Sequence, residues 1–161
     1  MRRLRDSVSL GLFSGLMGNL AKGIFNLFTW KTERNEVLYP QLASSMFFAP
    51  RRTKRRKPFL IGGLADLIMG SLFGIPIVYI LKKTGKDNHI LKGGGLSLLL
   101  WVVLYGAGHN LHIFSIKPRK SSSPLWALLE HLLFGVVTAC TAVKFADPGT
   151  FPDDRLEEYR Y

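Results

Sequence analysis

The chain has 161 residues, with 22 Lys and Arg against 11 Asp and Glu, and 47% of its residues are hydrophobic. Those averages suit a single domain of ordinary composition, but the charges are segregated: the stretches 8–30, 58–81, 93–116 and 124–143 hold only Lys22, Asp66 and Glu130. A soluble domain needs polar faces on its helices, and a disordered basic tail lacks long apolar runs, so both are excluded in favour of an all-α integral membrane four-helix bundle.

In chain order, spans are predicted near 8–30, 58–81, 92–116 and 124–144, within one domain covering 1–161. At ~1.5 Å per residue, 20–24 residues reach about 30–36 Å, enough for a hydrocarbon core, and in lipid only a helix satisfies its own backbone. The first span follows RRLR, but its apolar region is too long for a signal peptide and no small-x-small site precedes Lys31, so it is read as retained. Pro76 inside the second span predicts a kink around Leu72–Pro76. The short turn KKTGKDNH predicts that spans two and three are antiparallel neighbours. KPRKSSSP is another short connector, with Pro124 placed to start the fourth helix, and residues 145–161 form a polar tail.

The basic connection 31–57 carries VLYPQLASSMFFAP, too short and proline-broken to span, then RRTKRRK. Its apolar part is expected at the interface or against the protein surface. Arg51, Arg52, Lys54, Arg55, Arg56 and Lys57 fit anionic lipid headgroups; the plainer alternative is a charge anchor that keeps span two from sliding. Nucleic acid is not expected as a partner, because the run is a short membrane-flanking loop without interleaved aromatics. Call side A the side of the first and third connections. It carries eleven Lys and Arg against ten on side B, so the positive-inside rule leaves orientation open. An even number of spans puts both termini on side B. Cys140 is alone and inside a span, which excludes an intrachain disulfide.

Ionisable groups inside spans are costly and are functional candidates. Lys22 lies 8 residues before Trp30 and Asp66 lies 8 residues after Pro58; both therefore sit about 12 Å from side A. His109, His112, Glu130 and His131 fall in the same half. Gly11, Gly15, Asn19, Lys22 and Asn26 form one stripe on span one, and Gly62, Asp66, Gly70 and Gly74 form another on span two. Small-residue stripes let helices approach closely. The predicted cluster is thus a pocket near side A above a tight apolar seam, with Lys22 facing Asp66; the alternative is a snorkelling Lys22 beside a protonated Asp66. His109 and His112 have a spacing that can bind metal, but bundle histidines more often hydrogen-bond, so no metal or cofactor is assigned. Glu130 and His131 lie about 100° apart, so one is expected to point inward and the other along a helix interface.

At LKGGGLSLLLW in span three and LLEHLLFG in span four, the chain resembles small four-span bacterial inner-membrane proteins of the YagU-like type. The shared pattern is a glycine-rich first span, a third span with Gly then Trp, and a His131–x–x–x–Gly135 step in the fourth. The resemblance implies architecture and a bacterial setting. That group has no established activity, so no mechanism is implied.

Three function classes follow. A structural or accessory bundle would engage partner proteins or anionic lipid through side A. A proton- or ion-permeation element would use the pocket, possible for four spans within a homo-oligomer. An enzyme or redox protein is the weakest, since HExxH, a nucleophile elbow and a glycine-rich nucleotide loop are all missing from the sequence. The accessory reading ranks first by elimination, with a non-enzymatic chain in the cell membrane.

Overall fold

The computed structural model describes residues 4–152. Its helices are α1 (Ser7–Lys31), α2 (Tyr39–Ser44), α3 (Arg56–Thr84), α4 (His89–Asn110) and α5 (Ser122–Phe145), with a 3-10 turn at Pro50–Arg52. Helices α1, α3, α4 and α5 are each long and apolar enough to cross a bilayer. Outward-facing Ile24, Leu60, Leu64, Leu99 and Val103 give the bundle an apolar exterior suited to lipid. The chain is an all-helical, multi-pass membrane protein.

Helix α1 is the central post. It packs closely on α3 and on α5, and α4 packs on α5. Its buried face carries Gly11, Gly15, Gly18, Asn19, Lys22 and Asn26. Backbones meet where side chains are missing: a Cβ on Gly15 would lie 2.6 Å from the Ser71 carbonyl oxygen, and one on Gly11 would lie 2.6 Å from Ile75 Cα. Gly93 of α4 and Gly135 of α5 meet in the same way. This is close small-residue packing of the kind that joins helices in lipid, where apolar burial supplies no net drive. Toward side B the interior is filled by Leu10, Ile77, Val78, Leu81, Ala139 and Ala142.

Both ends of the described chain lie together. Leu4 pairs with the segment after α5, donating from its N–H to the Phe145 carbonyl at 2.9 Å and accepting from the Asp147 N–H at 3.2 Å. At the opposite end the first and third connections are tied together. Glu36 Oε2 accepts from the Arg119 and Lys120 amides at 2.5 and 2.9 Å, and the Ser115 hydroxyl donates to the Ser45 carbonyl at 3.1 Å.

The structure refines two of the sequence expectations and differs from a third. The connection 31–57 is partly helical, and α2 lies against α3 where Gly62 meets the Pro40 carbonyl; glycine leaves room for that backbone approach. Pro76 lies inside α3, which runs as one helix from Arg56 to Thr84. Finally, α3 and α4 join through Gly85 (φ 83°), a conformation that favours glycine. Despite this short turn they pack only sparsely on one another. Each is held instead by a different partner, α1 or α5, and a cavity separates them.

Candidate functional site

The site starts with α1. Its buried stripe brings Asn19, Lys22, Asn26 and Thr29 to the bundle interior, about one helical turn apart. Lys22 Nζ lies 3.0 Å from Asp66 Oδ1 of α3. Asn19 Nδ2 donates to the other carboxylate oxygen at 2.9 Å. Lys22 Nζ also lies 4.0 Å from the centre of the Tyr39 ring, a cation–π contact. The pair is therefore neutralised locally rather than snorkelling apart.

Tyr39 links this pair to a second acid. Its hydroxyl donates to Glu130 Oε2 at 2.7 Å. Glu130, on α5, is 0% exposed. It also accepts from Thr29 Oγ1 at 2.6 Å, from Asn26 Nδ2 at 3.2 Å and from Asn35 Nδ2 at 3.3 Å. Asn26 holds the returning chain as well: its Oδ1 takes the Tyr39 N–H at 3.1 Å and its Nδ2 reaches the Val37 carbonyl at 3.2 Å. Burial, followed by the charge and hydrogen bond of Glu130, pushes the Tyr39 phenol well above its ordinary range, so it remains a hydroxyl donor.

His131 completes the chain of contacts. Its Nδ1 is 2.8 Å from the Ala127 carbonyl and 3.4 Å from the Tyr39 hydroxyl. A carbonyl only accepts, so geometry assigns the proton of the neutral ring to Nδ1 and leaves Nε2 as an acceptor. The Ser97 hydroxyl of α4 donates to the His131 carbonyl and fixes this turn of α5.

Lys22, Asp66 and His131 line a cavity of about 430 Å³ enclosed by α1, α2, α3, α4 and α5, whose other walls include Phe73, Trp101 and Phe114. That volume lies within the ~300–1,000 Å³ of small-molecule sites. The cavity stands at the end of the bundle tied by the first and third connections, and the packed seam toward side B closes it off.

The remaining sequence candidates are placed as follows. Glu130 points inward while neighbouring His131 lines the cavity, consistent with their angular separation. His112 does not join the cluster: α4 ends at Asn110, and His112 (φ 56°) is exposed in the following connection. The His109 side chain lies outside the described residues, as do residues 153–161 of the tail. Arg51, Arg52, Lys54, Arg55, Arg56 and Lys57 are all exposed, and Phe47 beside them is 62% exposed. Sequence reasoning missed Asn35 and Tyr39 because they lie in a connection rather than a span. The signal available was Glu130 itself, since a carboxylate at that depth needs several donors. Among the described residues no three His, Cys, Asp or Glu side chains gather as a metal site.

No protein-family model, curated protein or solved structure matches the chain.

Proposed function

We propose that the chain is a proton-linked transport element with a one-sided solute compartment. The observation that carries this reading is the contact path from the cavity through His131 and Tyr39 to the buried Glu130, beside the Lys22–Asp66 pair. A proton accepted at His131 Nε2 would let the Nδ1 proton leave the Ala127 carbonyl for the Tyr39 hydroxyl 3.4 Å away, which in turn would pass its own proton to Glu130 Oε2. Run in reverse, the sequence returns the proton to the cavity, so net transfer requires release from Glu130 toward side B. Buried acid, phenol and imidazole groups in series within a membrane are the components of proton relays. The apolar seam toward side B means that transport would need that seam to open or a second copy of the chain to complete a pathway.

The test is reconstitution in liposomes carrying an imposed pH gradient and a trapped pH dye. The reading expects faster decay of the gradient than in protein-free liposomes, with the excess removed by Glu130→Gln and by Tyr39→Phe. Decay equal to protein-free liposomes, or unaffected by both substitutions, would overturn it.

A second reading is favoured by a separate observation, the exposed basic run 51–57 beside the exposed apolar Met46 and Phe47. Together they suit insertion at an interface rich in anionic lipid. In that reading the chain is an accessory bundle that engages lipid or a partner protein through side A. Neither reading assigns it catalytic chemistry. Kinship with the YagU-like four-span proteins is compatible with both.

A further inference from the structure

The cavity is long and open along one side. Its walls extend from Ser97 to Gly108 on α4 and from Ser123 to Phe134 on α5, about 16 Å of rise on each helix. Met46, Met69, Val103 and Ile113 also line it, and they are 44%, 42%, 61% and 41% exposed. Residues that both line a cavity and stand exposed mark its mouth. The mouth therefore lies between α3 and α4, which pack sparsely on one another, and reaches the first and third connections. Its rim is apolar, and the outer faces beside it carry Ile68, Leu99 and Val102. Whatever enters here comes from lipid.

The interior offers a charged head no counter-charge. Lys22 is matched by Asp66, and Glu130 already has four side-chain donors, so a further charge in this low-dielectric space would be costly. The bases stand outside it, on the two connections that reach the mouth. Arg51 follows Met46 by five residues, at most about 18 Å of chain. Buried Thr53 closes the run into a turn by donating to the Pro50 carbonyl at 2.9 Å, so Arg51, Arg52 and Lys54 project from a fixed base. On the third connection Lys117 lies between the wall residues Phe114 and Pro118. All four basic residues are exposed. An apolar slot thus opens to lipid beneath a basic surface at side A.

We infer that the cavity holds one acyl chain of an anionic phospholipid from the side A leaflet. The chain lies along α4, and the phosphate stays at the membrane surface, where Arg51, Arg52, Lys54 and Lys117 neutralise it. This inference deepens the lipid reading of the basic run and rests on it, and does not depend on proton movement.

Trp101, on the cavity wall, reports on occupancy. The full-length protein carrying Trp30→Phe and Trp126→Phe, in nanodiscs, retains Trp101 as its one tryptophan. Its fluorescence is titrated with phosphatidylglycerol and phosphatidylcholine brominated on one acyl chain, and with a brominated fatty acid. The expected result is saturable quenching by phosphatidylglycerol at a roughly tenfold lower mole fraction than by the other two, about what one or two basic contacts supply. Joint Arg51→Gln, Arg52→Gln and Lys54→Gln substitution should remove that preference. So should Ala65→Leu and, separately, Ala107→Leu, which fill the cavity; Ala107 is exposed and carries the test if Ala65→Leu fails to fold. Gly95→Leu, placed where α4 meets open space, should leave the preference intact. Equal quenching by the two phospholipids in the unaltered protein would overturn the lipid reading of the basic run and this inference with it. A preference that survives both filling variants would leave that reading standing and overturn the cavity assignment alone. Preference for the fatty acid would overturn the phospholipid as occupant, and a preference untouched by the triple substitution would overturn the headgroup contact.

Discussion

Lys22 on α1 and Asp66 on α3 face each other at 3.0 Å, and their side chains are 7% and 18% exposed. Forty-four positions separate them in the chain, so the pair fixes the rotation of both helices about their axes as well as their relative depth. Asn19 reinforces that register by donating to the Asp66 backbone carbonyl at 3.1 Å in addition to its carboxylate. Breaking one side strands a buried charge. Lys22→Met is expected to cost about 3 kcal/mol or more. The double variant with Asp66→Asn should recover much of that loss, which a double-mutant cycle of detergent-unfolding stabilities measures. Additive losses would show that the two charges do not depend on each other.

The α1–α3 seam leaves no room for side chains. A Cβ on Gly70 would collide with Asn19, and one on Gly74 would collide with the Gly11 carbonyl. Gly70→Leu is expected to push the helices apart and destabilise the bundle by about 1–3 kcal/mol. Gly23, with open space around its would-be Cβ, should accept alanine with no such penalty. Thermal unfolding of the two variants in the same detergent separates the outcomes.

The tie between the side A connections has a pH dependence. The Lys120 and Arg119 amides hold the Glu36 carboxyl below its ordinary value. A lowered folded value means that the contribution is fully present above the ordinary glutamate value and is lost as pH falls through the lowered one. Hydrogen exchange at the Arg119 and Lys120 amides should therefore show protection at neutral pH that fades only in acid, beyond the intrinsic pH effect on exchange. Glu36→Gln should flatten that extra dependence.

Much of this architecture was legible in the sequence. The spans stood out because lipid tolerates so few charges that their absence marks each helix. The Lys22–Asp66 pair was legible because two independent counts, depth from the span ends and position on the small-residue stripes, selected the same residues. A pocket near side A above a packed seam was legible too, but its position between α3 and α4 and its largely apolar walls were not. A short turn between α3 and α4 argues for close neighbours, yet Gly93, Ser97 and Gly135 draw α4 onto α5 instead. The donors to Glu130 were only partly visible. Asn26 and Thr29 follow from the face of α1, whereas Asn35 and Tyr39 come from a connection whose return into the bundle depends on Asn26 capturing its backbone. His112 was misplaced because hydrophobicity continues through Leu111 and Ile113 after the helix itself has ended at Asn110.

The role of Tyr39 separates a working relay from a structural lock. Tyr39→Phe removes the hydroxyl between His131 and Glu130 while keeping the ring beneath Lys22. If Tyr39 only stabilises the fold, the variant should lose about 1–3 kcal/mol through a weakened Glu130 cage and its proton flux should follow the amount of folded protein. If Tyr39 is a link in the relay, flux per folded molecule should fall while the bundle still forms.

Infrared difference spectroscopy of the reconstituted protein on a step to acid pH reads the central claim most directly, because it observes the Glu130 carboxyl itself. The account predicts a protonated-carboxyl band that is absent from Glu130→Gln and appears more slowly in Tyr39→Phe. A Glu130 that stays ionised throughout the pH range in which the bundle is folded would contradict it, and would leave that carboxylate as a fixed anchor for α1, α5 and the connection between α1 and α2.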